Sequence, residues 1–180
     1  MASVVSHPAI VLALAPWRSD VPSRRLVLWG VALSVAPDLD AVGFWLGVPY
    51  DSPLGHRGLT HSLFFALVLA AIVTASVFRR SPSPIGVLAF LFLCAASHGL
   101  FDAMTDGGRG IALLAPFDWD RYFLPWRPIR VSPIGIGRFL GPRGLAILES
   151  ELVAMWIPCA AVGGLGLLVR GSGRRSRGDA

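Results

Sequence analysis

Residues 62 to 78 of this chain carry no charged side chain, and residues 84 to 104 carry one, Asp102. At about 1.5 Å of rise per residue, either run reaches across a hydrocarbon layer about 30 Å thick, the first with little room to tilt. A backbone in lipid must satisfy its own hydrogen bonds, so runs of this kind fold as helices. The link between them, Arg79-Arg80-Ser81-Pro82-Ser83-Pro84, is short, basic and rich in proline. That composition suits a tight turn at the headgroups, and the two helices are expected to form an antiparallel hairpin.

The rest of the chain agrees with a membrane setting. Of 180 residues, 54% are hydrophobic and only 15% charged, with a mean hydropathy of +0.63; soluble domains carry about 25% charged residues. The expected architecture is all-α, one integral membrane domain over residues 1 to 169 with about four to five hydrophobic helices and a long irregular loop. Residues 152 to 169 form a third long apolar segment. Residues 7 to 16 and 26 to 36 are apolar but short, and fit partial spans or helices shielded by neighbours. After Val169 come Arg170, Arg174, Arg175 and Arg177 among glycine and serine, a composition that builds no core, so residues 170 to 180 are expected to be a disordered tail.

All sixteen basic residues are arginines, and the net charge of +5 is spread over loops and tail. No continuous basic stripe marks a nucleic-acid surface. Membrane lipid headgroups are the expected partners of the arginines, a few of which suit an anionic substrate, and no obligate protein partner is indicated. Cys94 and Cys159 lie alone in apolar runs, without CxxC spacing, and read as small core residues. The N-terminus lacks the pattern of a cleavable signal peptide, so internal helices direct insertion.

Charge placement predicts a topology. Arg18, Arg24, Arg25, Arg79, Arg80 and the tail arginines fall at one set of helix ends, which the positive-inside bias makes cytoplasmic. All the histidines and their neighbouring acids fall at the other, extracytoplasmic, set. The loop from Asp106 to Glu149 runs against this sidedness, with six arginines to three aspartates. The convergence of the polar groups does not depend on it.

Those groups form short islands: His7; Pro37-Asp38-Leu39-Asp40; His56-Arg57-Gly58-Leu59-Thr60-His61-Ser62; and His98-Gly-Leu-Phe-Asp102-Ala-Met-Thr105. Ionisable groups are expensive in such surroundings and persist when paired, hydrated or bound to a cation. His98 and Asp102, four apart on a helix, share one face. Gly58 permits an unusual backbone angle that turns His56 and His61 toward one point, with Thr60 as the expected helix cap. Pro37 is expected to interrupt the second helix and leave Asp38 and Asp40 non-helical, projecting to one side. His7, before Pro8 at a helix start, reads equally as ligand or core residue. Histidine with carboxylate and no thiolate suits Zn²⁺, or alternatively Mn²⁺, over Ca²⁺. Such an ion acidifies water and polarises a carbonyl or phosphoryl oxygen, so hydrolysis is the natural reaction class. Arg57 is the candidate for stabilising developing negative charge. Asp40 or Glu151 is the candidate for moving the proton, and Glu149 reads as a helix N-terminal charge.

Taken together, Pro37-Asp38-Leu39-Asp40, the motif from His56 to Ser62, and His98 to Thr105 with Asp106-Gly107-Gly108 resemble the LexA-regulated, membrane-bound, metal-dependent hydrolase family (YdjM-like). Leu114-Ala-Pro116-Phe117, Arg121-Tyr122-Phe123 and Trp126 to Gly135 look like that family's long loop, so the resemblance covers His7 to about Trp156. It implies a bacterial inner-membrane protein of several helices in which His56, His61, His98 and Asp102 ligate metal, with Asp38 and Asp40 beside them. The HxxxD helix is also similar to one in zinc-dependent phospholipase C and P1-type nucleases, which points to phosphoester substrates. The resulting expectation is hydrolysis of an ester or phosphoester at the membrane surface. The rival expectation is a metal-binding transport or sensor protein without hydrolytic activity; the absence of an internal repeat counts against a transporter.

Overall fold

The computed structural model describes residues 1–18, 23–133 and 139–178, and among them the regular structure is helical, without strands. The α-helices whose bounds lie within the described residues are, in order, α1 (Ala9–Leu14), α2 (Ser23–Val35), α3 (Val42–Trp45), α4 (Leu63–Val77), α5 (Pro84–Ala103), α6 (Pro142–Glu151) and α7 (Ile157–Gly178). The all-α expectation holds. Three runs, Arg24–Trp45, Pro84–Ala103 and Pro142–Ser172, are long and apolar enough to cross a membrane. The apolar α4 has 15 residues, about 22 Å at helical rise, and is shorter than the span expected over residues 62 to 78.

Two boundaries differ from expectation for identifiable reasons. Pro37 does not break the second helix. It occupies the first turn of a 3₁₀ helix, Ala36–Ala41, that joins α2 to α3 and makes one run from Arg24 to Trp45. A first turn is where proline's fixed φ and missing N–H are tolerated. Asp38 and Asp40 are therefore helical and face different ring nitrogens, Nε2 of His61 and His98 for Asp38, Nδ1 of His56 and His61 for Asp40. The last run begins at Pro142, ten residues before the apolar segment, and passes through a π-helical turn at Leu152–Trp156 before α7. Its helix is described through Gly178, beyond the boundary at Val169 expected from composition, and Arg170 donates to the carbonyls of Pro16 and Arg18 at 3.0 and 3.2 Å.

Helix α5 lies at the centre, packed against α2 and α4, while α1 packs on α7. Val87, Phe90, Leu91, Cys94 and Ala95 of α5 meet Leu26 and Leu33 of α2 and Ala66, Ala70 and Val73 of α4 in one apolar core. The outer faces keep Leu67, Ile72, Ile85, Leu93, Leu165, Leu167 and Leu168 exposed, as lipid-facing helices do. The Arg25 guanidinium sits 5.4 Å from the Phe78 ring, which joins the start of α2 to the end of α4. The histidines lie at the opposite end of α5, as charge placement predicted.

Candidate metal centre

The histidine loop is built by close backbone contacts. Gly58 takes an irregular backbone conformation, φ −87° and ψ −135°, and Arg57 beside it is left-handed, with φ of 66°. Gly58 is needed for a further reason: a Cβ there would lie 2.4 Å from the carbonyl oxygen of Pro53. Ser62, not Thr60, caps α4, its hydroxyl accepting from Phe65 N at 3.1 Å. Thr60 Oγ1 is engaged elsewhere, donating to Asp40 Oδ2 at 2.6 Å. On the facing helix, a Cβ at Gly99 would lie 2.3 Å from the carbonyl oxygen of His61. Glycine there lets α5 approach the loop until His61 and His98 touch.

The four islands meet. The imidazole rings of His56 and His61 lie 5.2 Å apart, those of His61 and His98 4.7 Å, and His7 stacks on His98 at 3.7 Å. All four histidines are 3% exposed or less, and Asp102 is fully buried. Asp38 has the most exposed side chain of the cluster, at 8%, so the centre comes nearest the surface there.

Hydrogen bonds fix which nitrogen of each ring presents a lone pair. His98 Nδ1 faces the carbonyl oxygen of Ser34 at 2.8 Å; a carbonyl only accepts, so Nδ1 carries the proton and Nε2 is free. His56 Nδ1 lies 2.7 Å from Asp40 Oδ1 by the same logic. His61 Nδ1 is held by Thr60 Oγ1 at 3.1 Å and Asp40 Oδ2 at 3.2 Å. Nε2 of His61 thus meets Nε2 of His98 at 3.2 Å, two lone-pair nitrogens that repel unless a proton or cation lies between them. Asp38 Oδ1 is 3.3 Å from His98 Nε2 and 3.8 Å from His61 Nε2, and Asp102 Oδ2 is 3.7 Å from His61 Nε2.

Those spacings suit an ion. Nitrogens bound to one tetrahedral zinc at about 2.0 Å lie roughly 3.3 Å apart. A proton on His61 Nε2 would satisfy only the contact with His98. Among the described residues it would still leave both oxygens of Asp38, Asp102 Oδ2, His56 Nε2 and both nitrogens of His7 buried without a hydrogen-bond partner. Such orphans are rare in folded proteins and mark a missing cation or water. Two triads have donor atoms close enough to share an ion, His7 with His98 and Asp102, and Asp38 with His56 and His61. The side-chain charges agree: Asp38, Asp40 and Asp102 stand against one guanidinium, Arg57, a surplus that a divalent ion offsets.

Two imidazoles outside the membrane runs respond oppositely to these surroundings. Burial, followed by the neighbouring His98, lowers His7 to about 3, so it is neutral and able to ligate. Burial also opposes charge on His61, but the carboxylates of Asp38 and Asp40 prevail and raise it to about 9. The two acids thus favour positive charge at the His61 imidazole.

Three residues expected to do chemistry are committed to structure. Asp40, at 2% side-chain exposure, holds His56, His61 and Thr60 and sits behind the imidazoles rather than among their free nitrogens, the place of a carboxylate that orients metal-bound histidines. Arg57 is fully buried. Its Nη1 donates to Gly107 O at 3.0 Å, its Nη2 to Thr105 Oγ1 at 3.1 Å, and its Nε lies 3.4 Å from Asp102 Oδ2. A Cβ at Gly108, whose φ is 94°, would overlap that guanidinium. Arg57 therefore balances Asp102 and is held within the protein rather than at its surface. Glu151, also fully buried, is bound by Ser3 and Ser6 and belongs to neither triad. Glu149 is exposed.

Several supports had no sequence signal. The Ser34 acceptor is a backbone carbonyl. The donors of Ala2, Ser3 and Ser6 come from a segment with no motif. Arg121, whose motif marked the long loop without indicating a role, clamps the carbonyls of Tyr50 and His56 at 3.0 and 2.9 Å.

Comparison with known proteins gives a consistent result. The chain matches the family described as YdjM inner membrane protein over residues 2–174. It is 37% identical over 161 residues to inner membrane protein YbcI of Escherichia coli (strain K12), covering 88% of this chain and 92% of that protein. It is 34% identical over 122 residues to inner membrane protein YdjM of the same organism, covering 64% of this chain and 58% of that protein, and equally to YdjM of Shigella flexneri. No solved structure matches. These names speak of the inner membrane and are silent on LexA control and hydrolysis.

Proposed function

The chain belongs to the YdjM inner membrane protein family, and on that footing we propose that it is a metal-dependent hydrolase acting on an ester or phosphoester carried by a membrane lipid or held at the membrane surface. The observation that carries the reading is the 3.2 Å approach of two imidazole Nε2 atoms beside an Asp38 carboxylate without hydrogen-bond partners among the described residues. His61, His98, Asp38 and Asp102 would hold the ion, with His7 and His56 extending the donor set toward a second. Nitrogen and carboxylate donors without sulfur suit Zn²⁺, or Mn²⁺. When bound, that ion supplies a water acidified toward neutral pH and a Lewis acid for the substrate oxygen.

The protein's own residues do the rest. Asp40 fixes the His56 and His61 tautomers so that both present Nε2. Ser34 does the same for His98 through its carbonyl. Arg57, with Nε 3.4 Å from Asp102 Oδ2, offsets the charge of that carboxylate in a buried setting. Asp38, which has the most exposed side chain of the cluster, would hold the ion through Oδ1, the oxygen that faces both Nε2 atoms, and Oδ2 is left to take the proton of an attacking water, since Asp40 and Glu151 are occupied by other donors. The substrate enters from the Asp38 side. That side is extracytoplasmic on the charge argument, which reporter fusions at the two ends of α5 test directly.

The test of the reading is metal analysis of detergent-purified protein prepared with metal in excess. Wild type is expected to hold zinc or manganese in stoichiometric amount, and His61→Ala and His98→Ala to lose it. Wild type without metal removes the basis of the proposal. Metal-loaded protein inert toward a panel of esters and phosphodiesters would move the reading to transport or sensing.

A further inference from the structure

The segment before α1 is buried by polar contacts rather than by apolar packing alone. Ala2, Ser3 and Ser6 are 5% exposed or less, while Val4 and Val5 between them are about half exposed. Ala2 N donates to Asp102 Oδ1 at 2.6 Å. Ser3 donates to Glu151 twice, from its N–H to Oε1 and from its hydroxyl to Oε2 at 2.5 Å, and Ser6 Oγ donates to Oε2 at 2.7 Å. Trp156 Nε1 in turn donates to Ser6 Oγ at 2.9 Å. One buried carboxylate thus gathers three donors from a segment whose next link is a candidate ligand.

The helix is built to allow this. Five residues along an α-helix at 3.6 per turn are about 140° apart in direction, so Glu151 and Trp156 would not meet at one hydroxyl. The π-helical turn at Leu152–Trp156 lies between them, and its wider winding turns both toward Ser6. Turns of this kind recur at functional sites.

We infer that Glu151 is a positioning residue for the metal centre: it fastens residues 2 to 6 as a strap, and the strap, through Ala2 N, fixes Asp102 Oδ1 so that Oδ2 faces His61. The inference rests on the proposed metal site and goes beyond it, since it gives a role in ion binding to an acid that touches none of the donor atoms. Glu151 makes no contact with Asp38, His61 or His98; its link to the donor atoms runs through Ala2 N to Asp102 Oδ1.

The experiment is a double-mutant cycle on the full chain in detergent, with Zn²⁺ affinity read by chelator competition and amide hydrogen exchange read over residues 2 to 6. Glu151→Ala is expected to speed exchange in that segment and to weaken Zn²⁺ binding by about 10-fold or more, the usual effect of losing an outer support. Ser3→Ala with Ser6→Ala should reproduce both effects. In an Asp102→Asn background, Glu151→Ala should weaken binding no further, whereas a residue that merely stabilises the fold would not be silenced there. Glu151→Gln, which keeps the volume, serves as the folded variant where Glu151→Ala is not recovered, with the same signs expected. Faster exchange with unchanged affinity, or full additivity with Asp102→Asn, overturns the inference while leaving the metal site standing. Wild type that takes up no Zn²⁺ overturns the site itself, and this inference with it.

Discussion

The two halves of α5 solve opposite problems with one helix. Its first half offers Val87, Phe90 and Leu91 to α2 and α4, and everything it buries is apolar. Its second half buries Ser97, His98 and Asp102, each of which must find a polar partner. In the first half, shape is the requirement, and a substitution acts in proportion to the volume it removes. In the second, lone pairs and charges are the requirement, and a change of one atom matters more than a change of several methylenes. Stability and function therefore separate along the helix axis.

His98→Ala is the sharpest way to break this division. It should abolish stoichiometric metal uptake, measured by elemental analysis, and it removes a lone pair that no neighbour replaces. Phe90→Ala should do the reverse: destabilise by about 3–5 kcal/mol, as core truncations of this size do, in reversible denaturation in micelles, with the folded fraction still binding metal. Metal loss in the Phe90 variant would show that the halves are not independent.

A subtler break is Asp40→Asn, which leaves the donor atoms in place and disturbs the tautomers behind them. Metal affinity should fall about 10-fold to 100-fold with little change in unfolding. The protonation of His61 sharpens the comparison further. Its folded value is raised to about 9 from 6.5, so in the metal-free protein its contribution to stability is complete below pH 6.5 and disappears as pH rises through 9. Metal uptake at pH 7 should accordingly release about one proton from this group, seen by calorimetry in buffers of different ionisation enthalpy; no release would mean that His61 is already neutral. The smallest effect belongs to Arg109→Ala. Arg109 pairs with Asp51, but both side chains are more than half exposed, and such pairs contribute about 0–1 kcal/mol, so both denaturation and metal binding should be nearly unchanged.

What could be read from sequence follows the same division. The apolar runs of α4 and α5 announce themselves by composition, and His98 with Asp102 by helical spacing, because both signals are local. The meeting of His61 with His98 was expected from charge placement, and the distances bear it out. Roles that depend on how the chain returns were not legible. Nothing in Asp38-Leu39-Asp40 says that one acid faces the free imidazole nitrogens and the other stands behind them. That depends on a 3₁₀ turn continuing through Pro37. Arg57 looked like an anion binder because its burial is created by Thr105, Gly107 and Gly108, about fifty residues away. Glu151 looked available because its three donors come from the opposite end of the chain.

The contact of Gly99 with the His61 carbonyl has a consequence for anyone wishing to make this protein hardier. Replacing a mid-helix glycine by alanine ordinarily strengthens a helix by about 1 kcal/mol, and sequence-guided engineering would choose this position early. Here the added methyl would wedge α5 away from the loop and part the two imidazoles without altering either, leaving a sturdier helix that no longer brings their Nε2 atoms together.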